Sequence, residues 1–334
     1  MSSPRNSQPL KIEPLFDSLS LDRSDPLWPI LAASLSKKSV QLDHANSPMD
    51  HFWTPEHFGL HRVGMFKEAS EGEQANILRM CAEHLLEEAF SIEQLGLCFN
   101  AKMILLSENA KERMLYSLFA ADEAAHFYSI ASYLPKGKSH SPDQPFLLLL
   151  REVIEQGDKS CLTYLIQVVL EGWGISHYSS ITHDCQSPQL KQALTQIVKD
   201  ETLHHGSGVV LFNQQILSEA DKQFTLEILV RLFQMVQAGP QAVVTCLEQA
   251  KGYLSRGQKI RVFRELECET QSQQRIETLR SLMGKGQSGS FLEMLRRYDV
   301  FRPFSPEECV GRPSAWGVKG KSSDVDRSVG NSKA

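Results

Sequence analysis

Asp122-Glu123-Ala124-Ala125-His126 and Asp200-Glu201-Thr202-Leu203-His204 are two copies of one short pattern, Asp-Glu-x-x-His, and their reading decides the fold. Each lies inside a stretch whose apolar residues recur at helical spacing. Residues three apart share a face of a helix, so the Glu and His of each copy can reach one common point. A single Glu-x-x-His is a weak signal and is most often a surface ion pair. Two copies in matching surroundings change that balance.

Each copy is preceded by a glutamate 30 residues upstream, Glu93 before Glu123 and Glu171 before Glu201. Glu93-Gln94-Leu95-Gly96 and Glu171-Gly172-Trp173-Gly174 both place Gly three residues after the Glu. In an antiparallel helical hairpin, residues at one height are equidistant from the turn. The midpoints of the two intervals are Glu108 and Gln186. Both fall where cap and proline chemistry independently predicts turns, at 107–109 and 185–188. At 1.5 Å per residue each carboxylate then stands roughly 22 Å from its turn. Glu88 competes with Glu93 on the first helix. Its midpoint with Glu123 falls between the apolar Leu105 and Leu106, and it lies about 140° from Glu93 around the helix, so Glu93 is preferred.

Working outward, the spacing predicts core helices over 71–106, 110–133, 159–183 and 188–215, with a short helix ending near 157 between the second and third. Further helices are expected over 220–238, 240–254, 257–283 and 290–298. Residues 1–70 read as an irregular N-terminal arm with a short helix at 29–37, and 311–334 as a disordered tail rich in Gly, Ser, Lys and Asp. Strand signals are nearly absent. The expected fold is all-α: a four-helix bundle over 71–215 with additional N-terminal helices and a C-terminal helical extension over 216–310.

The chain has 334 residues, 41% hydrophobic and 22% charged, enough to build a large core. A formal net charge of -5 argues against a nucleic-acid partner, which needs a concentrated basic excess. No signal peptide and no uncharged stretch of bilayer length is read, so no membrane association is expected. Seven scattered cysteines with no C-x-x-C pair fit a reducing, cytoplasmic setting.

Four glutamates and two histidines at one level of a bundle make sense with metal, because buried carboxylates otherwise repel one another and take up protons at a cost of several kcal/mol. Oxygen-rich ligation with one imidazole per ion suits iron or manganese better than zinc. Two Fe ions are the first choice, with a Mn/Fe pair as the alternative.

This constellation resembles the ferritin-like di-iron carboxylate superfamily, in which two helices give one Glu each and two others give a Glu-x-x-His. The resemblance covers about 75–215 and assigns Glu93, Glu123, His126, Glu171, Glu201 and His204 as metal ligands. The Asp before each Glu-x-x-His looks like the form found in oxygen-activating members such as acyl carrier protein desaturases and bacterial monooxygenases. It implies that Asp122 orients His204 and that Asp200 orients His126. The third and fourth helices look most like those of aldehyde-deformylating oxygenases, with a weaker similarity to arylamine N-oxygenases. The function so implied is an oxidoreductase, an oxygenase or oxidase that uses O2 as co-substrate on a small organic or acyl substrate. An external electron donor would supply it, through an electron-transfer protein. A homodimer is an assembly such bundles commonly form. The rival readings are ferritin-like iron handling and a non-catalytic helical interaction protein.

Other residues invite two readings each. Tyr178, two turns after Glu171, either bonds a ligand carboxylate or fills core; its counterpart in the first half is Asn100. Gly96, Gly172 and Gly174 cost a helix up to about 1 kcal/mol each, and provide either room for substrate or oxygen, or close helix packing. His84, His177 and His205 flank the site without an assigned role. Arg261, Arg264, Arg275, Arg280, Arg296 and Arg297 interleave with acids and read as a solvated surface.

Overall fold

The computed structural model describes residues 29, 30, 33, 49–135, 144–213, 215, 217–284 and 289–312; among them every regular element is helical. The first long helix, α1 (Glu71–Leu106), opens on a capping box in which Ser70 Oγ accepts from the Glu73 N–H while the Glu73 carboxylate accepts from Ser70 N. Asn109 caps α2 (Ala110–Ala131) by accepting from the Glu112 N–H. The turn expected at 107–109 is therefore the one observed. After α3 (Pro145–Gln156), the chain runs without a break through α4 (Lys159–Leu162), a π-helical stretch Thr163–Glu171 and α5 (Gly172–Asp184). Ser187 then caps α6 (Pro188–Phe212), which has proline in its first turn.

The sequence predicted one uniform α-helix over 159–183, and the π-helical stretch corrects it. A widened helix leaves backbone carbonyls free for outside donors. The carbonyl of Gln167 faces His205 Nδ1 at 2.9 Å, and the Gln167 side chain accepts from Tyr116 Oη at 2.8 Å and donates to His204 O at 3.3 Å. These contacts come from two other helices, which a local pattern does not see. Gly208 permits the close approach, since a Cβ there would stand 2.3 Å from Gln167 Cβ.

Among the described residues six more α-helices follow: α7 (Glu219–Gln237), α8 (Gln241–Lys251), α9 (Arg256–Glu265), α10 (Cys268–Met283), α11 (Gly289–Leu295) and α12 (Pro306–Val310). The single helix expected over 257–283 is two, divided at Glu267, whose φ of 54° lies in the left-handed region that stops a helix. The last helix was not expected, although its Ser305 to Glu308 capping box stands in the sequence. Apart from residues 29, 30 and 33, the helix expected at 29–37 lies outside the described residues, as does the tail beyond 312. The arm at 49–70 holds two single-turn 3-10 helices, Met49–His51 and Leu60–Arg62, and the four-residue helix Gly64–Lys67, and is pinned by Trp53, whose Nε1 donates to Ile181 O at 2.8 Å.

Two apolar layers organise the core. One joins Leu86 and Phe90 of α1, Phe127 and Ile130 of α2, Ile181 of α5 and Leu194 of α6. The other joins Phe99 and Met103 of α1, Phe119 of α2, Leu165 and Val169 of the π-helical stretch and Phe212 of α6. The numbering shows the directions: α1 and α6 run one way, α2 and the rod ending in α5 the other. Between the layers, each of the four rods leaves one gap, at positions 93, 123–126, 171 and 201–204.

The C-terminal helices continue this core rather than forming a separate body. Phe233 of α7, Ile276 and Leu279 of α10 and Phe291 of α11 belong to the second layer. Elsewhere α8 and α9 close over the start of α1, with Cys246 and Phe263 packed beside Ile77 and Cys81. All seven cysteines are free and buried. By length and composition α1 contains a window apolar enough to cross a bilayer, which the sequence reading had not recognised. It lies in the core and buries Glu83 and Glu93.

Candidate metal centre

The gap between the two apolar layers is filled by Glu93, Glu123, His126, Glu171, Glu201 and His204. One group of them, Glu93, Glu123, His126 and Glu201, offers ligand atoms that all lie within 4.8 Å of one another; Glu171, Glu201 and His204 form a second such group that shares Glu201. Glu123 lies between the two imidazoles, with Oε2 3.8 Å from His126 Nδ1 and Oε1 3.4 Å from His204 Nδ1. Glu201 Oε1 is likewise 3.8 Å from His126 Nδ1 and 3.5 Å from His204 Nδ1. Glu93 and Glu171 stand at the two ends. Glu88 joins neither group and lines a cavity wall instead.

The aspartates cross over between the repeats. His126 Nε2 is 3.0 Å from Asp200 Oδ2, and His204 Nε2 is 3.6 Å from Asp122 Oδ2. Both Nδ1 atoms are left facing the glutamates. Tyr178 Oη donates a very short hydrogen bond to Glu93 Oε1, and Asn100 Nδ2 donates to Glu123 Oε1 at 3.4 Å. Gly96 has a specific reason: a Cβ there would meet Glu123 Oε2 at 2.6 Å. Gly172 lies against His205 and Leu282, whereas Gly174 faces open space.

Burial and mutual repulsion dominate the electrostatics. Desolvation pushes the Glu93 carboxyl up to about 8. It raises Glu171 far above the carboxylate range, helped by the charge of Glu201, and raises Glu201, helped by Glu123. Desolvation also acts upward on Glu123, but the neighbouring His126 and His204 imidazoles outweigh it and hold that carboxyl down at about 2. Burial opposes charge on both imidazoles; the surrounding carboxylates overcome it and raise His126 and His204 well above the ordinary histidine value. Several buried polar atoms have no hydrogen-bond partner at all: Glu171 Oε2 and both nitrogens of His204. Such orphans are rare and costly in folded proteins.

A cavity of about 650 Å³ runs alongside. Glu93, Gly96, Glu123, Glu171 and Glu201 form one wall, and Phe99, Phe146, Leu150, Ile154, Ile166 and Trp173 line an apolar lobe. A third part of the lining is polar and comes from the C-terminal helix α10: Gln271, Gln274, Arg275 and Thr278.

The structure brings together the six residues picked by the 30-residue spacing, with Asp122, Asp200 and Tyr178 around them. Sequence reasoning missed Gln167 and Arg275. The former lies inside an unforeseen π-helical stretch. The latter was read as surface; it is exposed, and it also lines the cavity. Comparison with known proteins supplies no relative: no family model, no curated protein and no solved structure matches the chain.

Proposed function

We propose that this chain is a ferritin-like, non-haem di-iron oxidoreductase that uses O2 to oxidise a small organic or acyl substrate. The observation that carries the reading is the convergence of four carboxylates and two imidazoles, with orphaned buried atoms, on one level between two apolar layers. Two divalent cations fit this donor set. They would neutralise the carboxylates and give partners to Glu171 Oε2 and His204 Nδ1. Glu93 and His126 would hold one ion, Glu171 and His204 the other, with Glu123 and Glu201 shared. A Mn/Fe pair suits the same donors. When bound, the metals supply the redox chemistry with O2, drawing electrons from an external donor.

The chain's own residues prepare the place. The Asp200 carboxylate accepts from His126 Nε2–H, which fixes the tautomer and leaves Nδ1 free to ligate. Tyr178 keeps its proton, raised by burial and by the nearby Glu93 charge, and donates it to Glu93 Oε1, fixing that carboxylate's rotamer. Leu95, Phe99 and Phe119 keep the level dry, and the cavity lets an organic molecule lie beside it. A cavity of this volume is the size of a small-molecule site, which favours an organic substrate over bulk iron.

The test is to add ferrous iron anaerobically to the full chain, measure the stoichiometry, then admit oxygen and follow oxygen uptake and visible absorption. Two irons per chain with rapid oxygen consumption are expected. Uptake of many irons would point to storage, and none to a helical protein without a metal role. Glu123→Ala and His204→Ala should each abolish stoichiometric binding; two tightly held irons in both variants would overturn the assignment.

A further inference from the structure

Arg275 is a cation on the cavity wall that the metal centre does not explain. It projects from α10 into the cavity, in line with Gln271, Gln274 and Thr278 at the i, i+3, i+4, i+7 spacing of one helical face. Its side chain is exposed and lines the cavity, where desolvation lowers its pKa. Among the described residues it makes no hydrogen bond and no ion pair. Its neighbours behave otherwise: Arg261 pairs with Glu265, Arg264 with Glu307 and Arg296 with Glu293, while Arg280 lies over the Phe301 ring. The Glu88 carboxylate on the same cavity wall is the charge that acts on it, and it lies beyond ion-pair distance, so the guanidinium's hydrogen-bond donors stay open to a ligand.

The fold places this cation relative to the metal level. The charge of Arg275 acts on Glu88, on His177 and on His57. Glu88 precedes Glu93 by five residues on α1, and His177 follows Glu171 by six on the antiparallel rod. Both therefore lie on the same side of the carboxylate level, roughly 8 Å from it along the helix axes. The apolar lobe of Phe99, Leu150, Ile154 and Ile166 lies on the opposite side. One connected cavity thus has a cation at one end, an apolar lobe at the other and the glutamates between.

We propose that Arg275 anchors the carboxylate of a chain-bearing organic acid, whose apolar part passes the glutamate level and ends in the lobe of Phe99, Leu150, Ile154 and Ile166. This deepens the di-iron reading and rests on it for the identity of the reacting centre, though not for the binding. The single charge of Arg275 matches a monoanion. A guanidinium receives a carboxylate through two parallel hydrogen bonds, and Gln274 and Thr278 border the same spot. Because the anchor stands away from the glutamates, chain carbons rather than the carboxylate lie beside them.

The experiment measures binding of decanoate, 1-decanol and acetate to the full chain by calorimetry, without oxygen, with and without ferrous iron. Decanoate is expected to bind at least tenfold more tightly than decanol, and acetate far more weakly than either. Arg275→Gln should erase the preference for the acid while leaving decanol affinity within about twofold, and Arg275→Lys should restore part of it. Equal binding of acid and alcohol to the unaltered protein overturns the proposal, even if the glutamine variant fails to fold. So does decanoate affinity unchanged within twofold in Arg275→Gln, or acetate binding as tightly as decanoate. Two irons per chain with no preference for the acid would sink this subsite alone. A clear preference in a chain that takes up no iron would sink the di-iron reading and leave the subsite standing.

Discussion

The half of the centre built on Glu93 and His126 is hydrogen-bonded throughout, whereas the half built on Glu171 and His204 is not. His126 meets Asp200 at 3.0 Å and Glu93 at 3.1 Å, and Glu93 also accepts from Tyr178. The His204 ring stands 3.6 Å from Asp122 and makes no hydrogen bond, and Glu171 has an oxygen without a partner. Both halves descend from the same 30-residue spacing, so the spacing sets position and other residues set partners. Tyr178 reaches across to Glu93. The corresponding Asn100 reaches Glu123 and not Glu171. The first half holds its shape through protein contacts; the second is the one that an ion would complete.

The largest effect expected concerns the glycines that the two halves share. In Gly96→Ala the new Cβ would meet Glu123 Oε2 at 2.6 Å, and since Glu123 lies between both imidazoles, both ions should be lost while the helical spectrum persists. Gly174 faces open space, so Gly174→Ala should keep two ions and gain up to about 1 kcal/mol of stability. Equal iron content in the two variants would erase the contrast.

Next comes the terminal glutamate of the looser half. Glu171→Ala should reduce the stoichiometry from two ions to one, because Glu93, Glu123, His126 and Glu201 form a complete group without it. Loss of both ions would show that the hydrogen-bonded half is not self-sufficient. A smaller difference separates the aspartates. Asp200→Asn should weaken the metal affinity about 10–100-fold, the usual cost of removing such a partner. Asp122→Asn should cost less, given its longer contact. Titration of each variant with ferrous iron ranks the two.

The smallest effect is protonic. Without metal, Glu93 holds its proton up to about pH 8, Glu171 and Glu201 are raised, and both imidazoles stay charged. Metal must displace those protons, so affinity should rise as pH increases towards 8 and fall as it drops below 7. Calorimetry in two buffers of different ionisation enthalpy should register net proton release at pH 7. Binding with no proton release would mean that the carboxylates are already ionised and the repulsion argument fails.

Much of this centre was legible in the primary structure because helical hairpins convert spacing into height. Glu93, Glu123, Glu171 and Glu201 could be put on one level by counting from the turns, and Asn109 and Ser187 announced those turns as caps. The π-helical stretch was not legible, because its Gln167 carbonyl faces His205 of α6 and its Gln167 side chain accepts from Tyr116 of α2. Arg275 was not legible either. The opposite face of α10 carries Ile276, Leu279 and Met283, which enter the core, so the periodicity marks Gln271, Gln274, Arg275 and Thr278 as outward-facing. They are outward from that core and inward to the cavity.

The amino-acid order alone determined an all-helical chain and the six residues that meet, since both follow from local periodicity and from distances measured along a rod. Tertiary structure decided what those residues face. It folded the C-terminal helices back over the hairpins, formed a cavity beside the glutamates and put the Arg275 guanidinium on its wall. The physical reason is that a sequence period specifies which side of a helix is polar, whereas long-range packing alone specifies whether that side meets bulk water or an interior space.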